Sequence, residues 1–293
     1  MPRAHINGIH LYYESYGSGF PLVLAYGLGG NTGMWAGQIE AFSRHYRLIL
    51  WDPRGHGQSE SPPQREQYGV PISAEDLRGL LDHLRIEQAY IGGQSMGGGI
   101  AARFAVAYPE RVAALLIIDS ASASGLPMSA AMRAMREKTI ELAETQGMPA
   151  VADYVITANP NLRTQAEASP AARQRLRQMF LDLNPTGYAH TLRAMLTETF
   201  PTEQLATLTM PTLVLVGDED PALDAARLTH QQIPGAHLVI LPQAGHLSNL
   251  DAPEAFNTSV LDFLHQLASE AASARRRGPL SETGPAAISP AGH

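Results

Sequence analysis

A serine stands in the run Gly93-Gln94-Ser95-Met96-Gly97, with glycine two residues to either side. The segment before it, Ala89–Ile91, reads as a strand, and Met96–Ala107 after it has helical period. G-x-S-x-G between a strand and a helix is the pattern of a nucleophile elbow. The chain must turn sharply at the serine, so the flanking positions must be small. The following helix presents unpaired N–H groups and positive potential, which favour a developing oxyanion. A serine hydroxyl is a poor nucleophile until a base takes its proton. The chemistry to look for is therefore acyl transfer, with a histidine as base and a carboxylate behind it.

The expected chain order after the serine is acid, then histidine. Gly217-Asp218-Glu219-Asp220 closes one apolar run, and Leu241-Pro242-Gln243-Ala244-Gly245-His246 closes the next. Ser95, Asp220 and His246 each fall just past the carboxyl end of a strand, where open α/β sheets bind ligands. Asp220 is favoured as the acid because the preceding turn should carry it toward His246. Asp218, on the same loop, and Asp119, which ends the strand after the serine's helix, stay open as alternatives. His56, in Asp52-Pro53-Arg54-Gly55-His56-Gly57, is the serious rival base, but it precedes the serine and its loop reads as a brace. No two histidines are spaced three or four apart, so a metal site is not expected.

A second glycine-rich turn, Tyr26-Gly27-Leu28-Gly29-Gly30, follows the strand Leu22–Ala25. An oxyanion hole on such a scaffold takes one backbone N–H from the residue after the nucleophile and one from this loop. Met96 and Leu28 are the expected donors. Tyr26, Gly27 and Trp35 are expected to line the substrate pocket, although Trp35 suits a helix anchor equally well. The same loop, with Asp52 ending the next strand, resembles a dinucleotide fingerprint. The spacing fails, because Thr32 stands where Gly or Ala is needed.

These residues need a scaffold. Strands are expected at Ile9–Tyr16, Leu22–Ala25, Leu48–Trp51, Ala89–Ile91, Ala113–Asp119, Thr212–Val216 and His237–Leu241. Helical segments are expected at Met34–Phe42, Ala74–Leu84, Met96–Ala107 and Glu254–Leu267. Most of the strands are continuous Leu/Ile/Val runs, as parallel strands covered on both faces are. The first alternates and suits an antiparallel edge. The fold class is therefore α/β, a mostly parallel, doubly wound sheet. From 125 to 208 the pattern is helical, which divides the chain into a core (1–124 and 209–268) and a helical cap. Residues 269–293, rich in Ala, Ser, Pro and Gly, are expected to be a disordered tail.

Composition narrows the classes further. The chain has 293 residues, 44% hydrophobic, with no cysteine and a net charge of −7. Without cysteine there is no disulfide framework, thiolate nucleophile or Fe–S cluster. The acidic balance argues against nucleic acid or an anionic membrane as partner. Lys138 is the single lysine and lies in no glycine-rich loop, which disfavours Schiff-base and P-loop chemistry. The longest apolar run, Val112–Ile118, is far too short to span a bilayer. The N-terminus lacks a signal peptide's apolar core, so a cytoplasmic protein is expected.

Several motifs in order show that the sequence resembles the α/β-hydrolase superfamily over about residues 5–267. They are the loop at 26–30, Asp52-Pro-Arg-Gly-His-Gly-Gln-Ser59, the elbow at 93–97, Tyr108-Pro-Glu-Arg-Val112, Gly217-Asp-Glu-Asp220 and Gly245-His246. Gly93-Gln-Ser-Met-Gly-Gly98 looks like the group of 3-oxoadipate enol-lactonases, perhydrolases and small carboxylesterases. One departure is Tyr26 where the loop usually begins with histidine. The resemblance implies a capped, cofactor-free serine hydrolase acting on a small-molecule ester or lactone. A C–C bond hydrolase is disfavoured, because those relatives carry Asn where Gln94 stands. A ligand-sensing protein that keeps the pocket is the alternative of another class.

Overall fold

A computed structural model describes residues 2–277. The chain opens with a hairpin of β1 (Arg3–Ile6) and β2 (Ile9–Tyr16), in antiparallel register with Ile6 opposite Ile9. Asn7 and Gly8 form its turn with φ of 47° and 80°, the conformation that a two-residue hairpin loop demands. β1 adds to the strands expected from sequence. Its alternation, with Ala4 and Ile6 buried and Arg3 and His5 exposed, is only four residues long.

The remaining strands are β3 (Pro21–Ala25), β4 (Arg47–Trp51), β5 (Ala89–Gln94), β6 (Val112–Ile118), β7 (Thr212–Gly217) and β8 (His237–Leu241). The sheet runs in the order β1-β2-β4-β3-β5-β6-β7-β8. β2 meets β4 antiparallel, and all pairings from β4 across to β8 are parallel. After β3 the chain places β4 on one side and then crosses to place β5 on the other. Strand order thus reverses between β3 and β5, and their carboxyl-end loops part there. Such a switch point is where an open α/β sheet offers a crevice.

Helices α1 (Ala36–Ser43), α2 (Val70–His83) and α3 (Met96–Ala107) precede β6. Between β6 and β7 lie α4 (Ala130–Thr145), α5 (Met148–Ala158), α6 (Arg163–Ala168), α7 (Pro170–Leu181) and α8 (Pro185–Thr197). α9 (Leu223–Gln232), α10 (Ser248–Asp251) and α11 (Pro253–Arg277) complete the described residues. The strands alternate faces, as a pleat requires. Leu48 and Leu50 of β4 join a cluster with Phe42 of α1 and Phe256 of α11. Ile49 and Trp51 join Leu80 of α2 and Phe104 of α3 on the other face. Covering both faces explains why these strands read as unbroken apolar runs.

The helical insertion shares the first of these cores through Ile140, Val151, Leu176 and Leu192. It also meets the loops at the carboxyl ends of the strands. A methyl on Gly29 would lie 2.9 Å from the Phe180 ring, and Gly187 packs on Gly55. The tail is expected from 269, whereas α11 continues to Arg277. The segment Ser-Glu-Ala-Ala-Ser-Ala-Arg-Arg-Arg favours helix, and Gly278-Pro279 follows it. The rest of the expected tail, 278–293, lies outside the described residues. Among the described residues no helix is long and apolar enough to cross a membrane.

Candidate active site

β5 ends at Gln94, and Ser95 follows with φ 53° and ψ −113°. Neighbours enforce this strained conformation. The Ser95 N–H donates to the Ile118 carbonyl (2.8 Å), and the Ser120 hydroxyl donates to the Ser95 carbonyl (2.6 Å). Glycines let the backbone close in: a methyl on Gly93 would meet the Ala25 carbonyl at 2.8 Å, and one on Gly97 the Tyr26 carbonyl at 2.9 Å. Ser95 remains partly exposed.

The Ser95 Oγ lies 2.9 Å from His246 Nε2. On the far side of the ring, His246 Nδ1 lies 2.9 and 3.0 Å from the two carboxylate oxygens of Asp220. An ionised carboxylate only accepts, so Nδ1 carries the proton in the neutral imidazole. Nε2 is then the acceptor for the serine hydroxyl. Burial works to lower the His246 pKa. The charge and hydrogen bond of Asp220, helped by the charge of Asp119, outweigh burial and hold it above the ordinary imidazole value; Arg136 of α4 opposes them.

Asp220 is the carboxylate that meets the ring, and the two alternatives have other partners. Asp218 accepts the Ala244 N–H at 3.3 Å, which ties the turn after β7 to the loop after β8. Asp119 accepts from Gly217 and Ser248. Burial and the nearby Asp220 push the Asp119 pKa up, while the charge of His246 and the two hydrogen bonds from Ser248 favour its ionised form. His56 does not reach Ser95. It is buried, with Nδ1 3.2 Å from the Arg54 carbonyl, and burial lowers its pKa to about 4.

The two N–H groups expected as oxyanion donors are those of Met96 and Leu28. Met96 is the first residue of α3, so its N–H has no acceptor within the helix. The Gly30 N–H donates to the Gly27 carbonyl at 3.0 Å, and Gly29 has φ 85°. This is a type II turn with Leu28 at its second position, whose N–H the turn itself does not use. The turn presses on the nucleophile: a methyl on Gly27 would lie 2.8 Å from Ser95 Cβ. Asp52 braces it from behind, accepting the N–H groups of Thr32 (2.7 Å) and Gln58 (2.9 Å). Burial raises the pKa of Asp52 to about 6.

A model of the alpha/beta hydrolase fold family matches residues 21–253. The chain belongs to that family. It is 31% identical over 258 residues to 3-oxoadipate enol-lactonase 2 of Acinetobacter baylyi, covering 86% of this chain and 92% of the relative. Among solved structures it resembles the enol-lactonase of Burkholderia xenovorans LB400, with TM-score 0.81 and 30% identity over 90% of this chain and all of that one. It also resembles a thermophilic esterase of Thermogutta terrifontis, with TM-score 0.82 and 30% identity over 91% of this chain and 99% of that one.

Two residues expected to line the pocket of this α/β hydrolase are buried. Trp35 is fully buried, with its ring edge-on to Tyr26 (5.2 Å) and tilted against Phe256 (6.1 Å). It anchors the start of α1 to α11. Tyr26 is 3% exposed, and its hydroxyl donates to Asn249 Oδ1 at 2.9 Å. The Asn249 amide in turn donates to the Met34 carbonyl and to Gln38. The tyrosine thus joins the turn after β3 to α10, while a methyl on Gly27 would meet Ser95 Cβ at 2.8 Å. A further brace went unread in the sequence: the Gln94 side chain donates to the His246 carbonyl at 2.6 Å. Its place beside Ser95 was the only signal for it.

Proposed function

We propose that this α/β hydrolase cleaves carboxylic esters or lactones through an acyl-enzyme on Ser95. The observation that carries the reading is the hydrogen-bonded line from Ser95 Oγ through the His246 ring to Asp220, with spacings of 2.9 Å on either side. Similarity to an enol-lactonase and an esterase supports the ester or lactone substrate class.

In this reading the Ser95 oxygen attacks the acyl carbonyl while His246 Nε2 takes the hydroxyl proton. Asp220 holds the ring in the Nδ1–H tautomer and stabilises the imidazolium that forms. The N–H groups of Leu28 and Met96 receive the negative charge of the tetrahedral intermediate. As the C–O bond breaks, the imidazolium returns its proton to the departing alkoxide. In a lactone that alkoxide stays tethered to the acyl group. A water molecule then gives a proton to His246 and attacks the acyl-enzyme, and the second collapse restores Ser95. The chain, substrate and water carry every proton and bond of the cycle.

Helices α4–α8 act in this proposal as a cap that closes the acyl pocket over the core formed by 1–124 and 209–268. A panel of p-nitrophenyl esters and aliphatic lactones, run with wild type and Ser95→Ala, tests the reading. Turnover is expected with wild type and is expected to vanish with Ser95→Ala. Equal turnover by both would overturn it.

A further inference from the structure

Asp119 follows β6 directly and takes no part in the acyl-transfer steps. It has no exposed surface, and its φ is 45°. That left-handed conformation is uncommon outside glycine. Five non-glycine residues among those described have positive φ, and three of them (Ser95, Asp119 and Gln243) stand just past β5, β6 and β8. Strain of this kind persists only where the surroundings over-determine it.

The surroundings of Asp119 do so. Its N–H donates to the Leu215 carbonyl of β7 at 2.8 Å. Oδ1 accepts the Gly217 N–H at 3.2 Å. Oδ2 accepts both the N–H of Ser248, at 3.1 Å, and its hydroxyl, at 2.7 Å. Gly217 opens the turn that delivers Asp220, and Ser248 opens α10 two residues beyond His246. One carboxylate therefore holds the backbone beside the acid and the backbone beside the base.

We propose that Asp119 is a positioning residue, whose carboxylate clamps the Asp220 turn to the His246 loop and so sets the line from Asp220 through His246 to Ser95. The proposal rests on the serine-hydrolase reading above. It differs from a packing role because the clamp acts on the reacting geometry and leaves substrate binding alone.

Asp119→Asn separates the two roles. An amide puts an NH2 group against a backbone N–H whichever way it turns, so the clamp loses one side while the volume stays the same. Displacing reacting groups by about 1 Å can cost about 10²-fold. The expected result with a p-nitrophenyl ester is a fall in kcat of about that size, with KM within about twofold of wild type. Ser248→Ala removes one donor and is expected to lower kcat about tenfold, again with little change in KM. The double variant should be no slower than Asp119→Asn, because both changes open the same clamp. If Asp119→Asn does not fold, Ser248→Ala decides alone. Wild-type kcat in the folded variants, or losses that simply multiply in the double variant, would overturn the clamp. A wild-type protein that turns over no ester would defeat the underlying reading instead.

Discussion

Gly27→Ala is the smallest change that tests the oxyanion turn. The added methyl would lie 2.5 Å from Gln94 Oε1, 2.8 Å from Ser95 Cβ and 3.3 Å from the Gln94 main-chain carbonyl oxygen. Relaxed carbon–carbon contacts are about 3.5–4.0 Å, so one side must retreat by roughly 1 Å. Ser95 is the stiffer side, held at its N–H by Ile118 and at its carbonyl by Ser120. The Gln94 side chain is also held, by its 2.6 Å bond to the His246 carbonyl, so the turn, closed by the 3.0 Å bond from Gly30 to Gly27, is the side expected to give. A donor must lie about 2.7–3.1 Å from the developing oxyanion, and losing one costs about 10²–10³ in kcat, or about 2.7–4 kcal/mol. Leu28 displaced by this distance falls outside that window. The expected result is a fall in kcat of that size with KM nearly unchanged. Acylation and deacylation should both slow, because each passes through a tetrahedral intermediate. Stopped-flow release of p-nitrophenol reads the first step and steady-state turnover the second, with thermal denaturation confirming that the variant folds. An unchanged kcat in the folded variant would refute the assignment of an oxyanion donor to this turn.

Asp220→Asn keeps the shape of the acid but removes the charge facing His246 Nδ1, and kcat should fall about 10⁴-fold in a steady-state ester assay. The pH dependence has a definite sign. His246 must be neutral to accept a proton, and its pKa is held above 6.5 in the folded protein, so the acidic limb of kcat/KM should have its midpoint above that value. Arg136 opposes the rise; Arg136→Gln should therefore move the limb to still higher pH, and a downward move would contradict the account. By linkage, His246 contributes stability that is fully present below its unfolded-state pKa and is lost as pH rises through the raised folded-state value. Stability itself is tested at Asp76. Its carboxylate takes two 2.6 Å bonds from the buried Arg54 guanidinium. Asp76→Ala strands that cation and should cost about 3–5 kcal/mol in urea unfolding, and a loss under about 1 kcal/mol would count against the reasoning.

The fold class was legible because its strands are covered on both faces, so Ala113–Asp119 and Thr212–Val216 stand out as unbroken apolar runs. β1 was not, because four residues with two buried give too short an alternation. Ser95, Asp220 and His246 stood out because each lies next to a glycine-marked turn at the end of a strand. The sequence could not say which way the aromatic side chains near the site point. Tyr26 and Trp35 are of types that line pockets, yet the pleat sends Tyr26 beneath the turn, where Trp35 packs on it. From the sequence Asp119 is one of the alternatives for the catalytic acid. Its partners, Gly217 and Ser248, lie about a hundred residues or more away along the chain, so only the assembled sheet reveals what it holds.

The central claim is a covalent acyl group on Ser95. Rapid mixing with a p-nitrophenyl ester, acid quench and peptide mass mapping test it most directly. The account predicts a transient acyl mass on the peptide carrying Ser95, formed with a burst of p-nitrophenol and absent from Ser95→Ala. A burst with acylation at another residue, or wild-type turnover by Ser95→Ala, would contradict it.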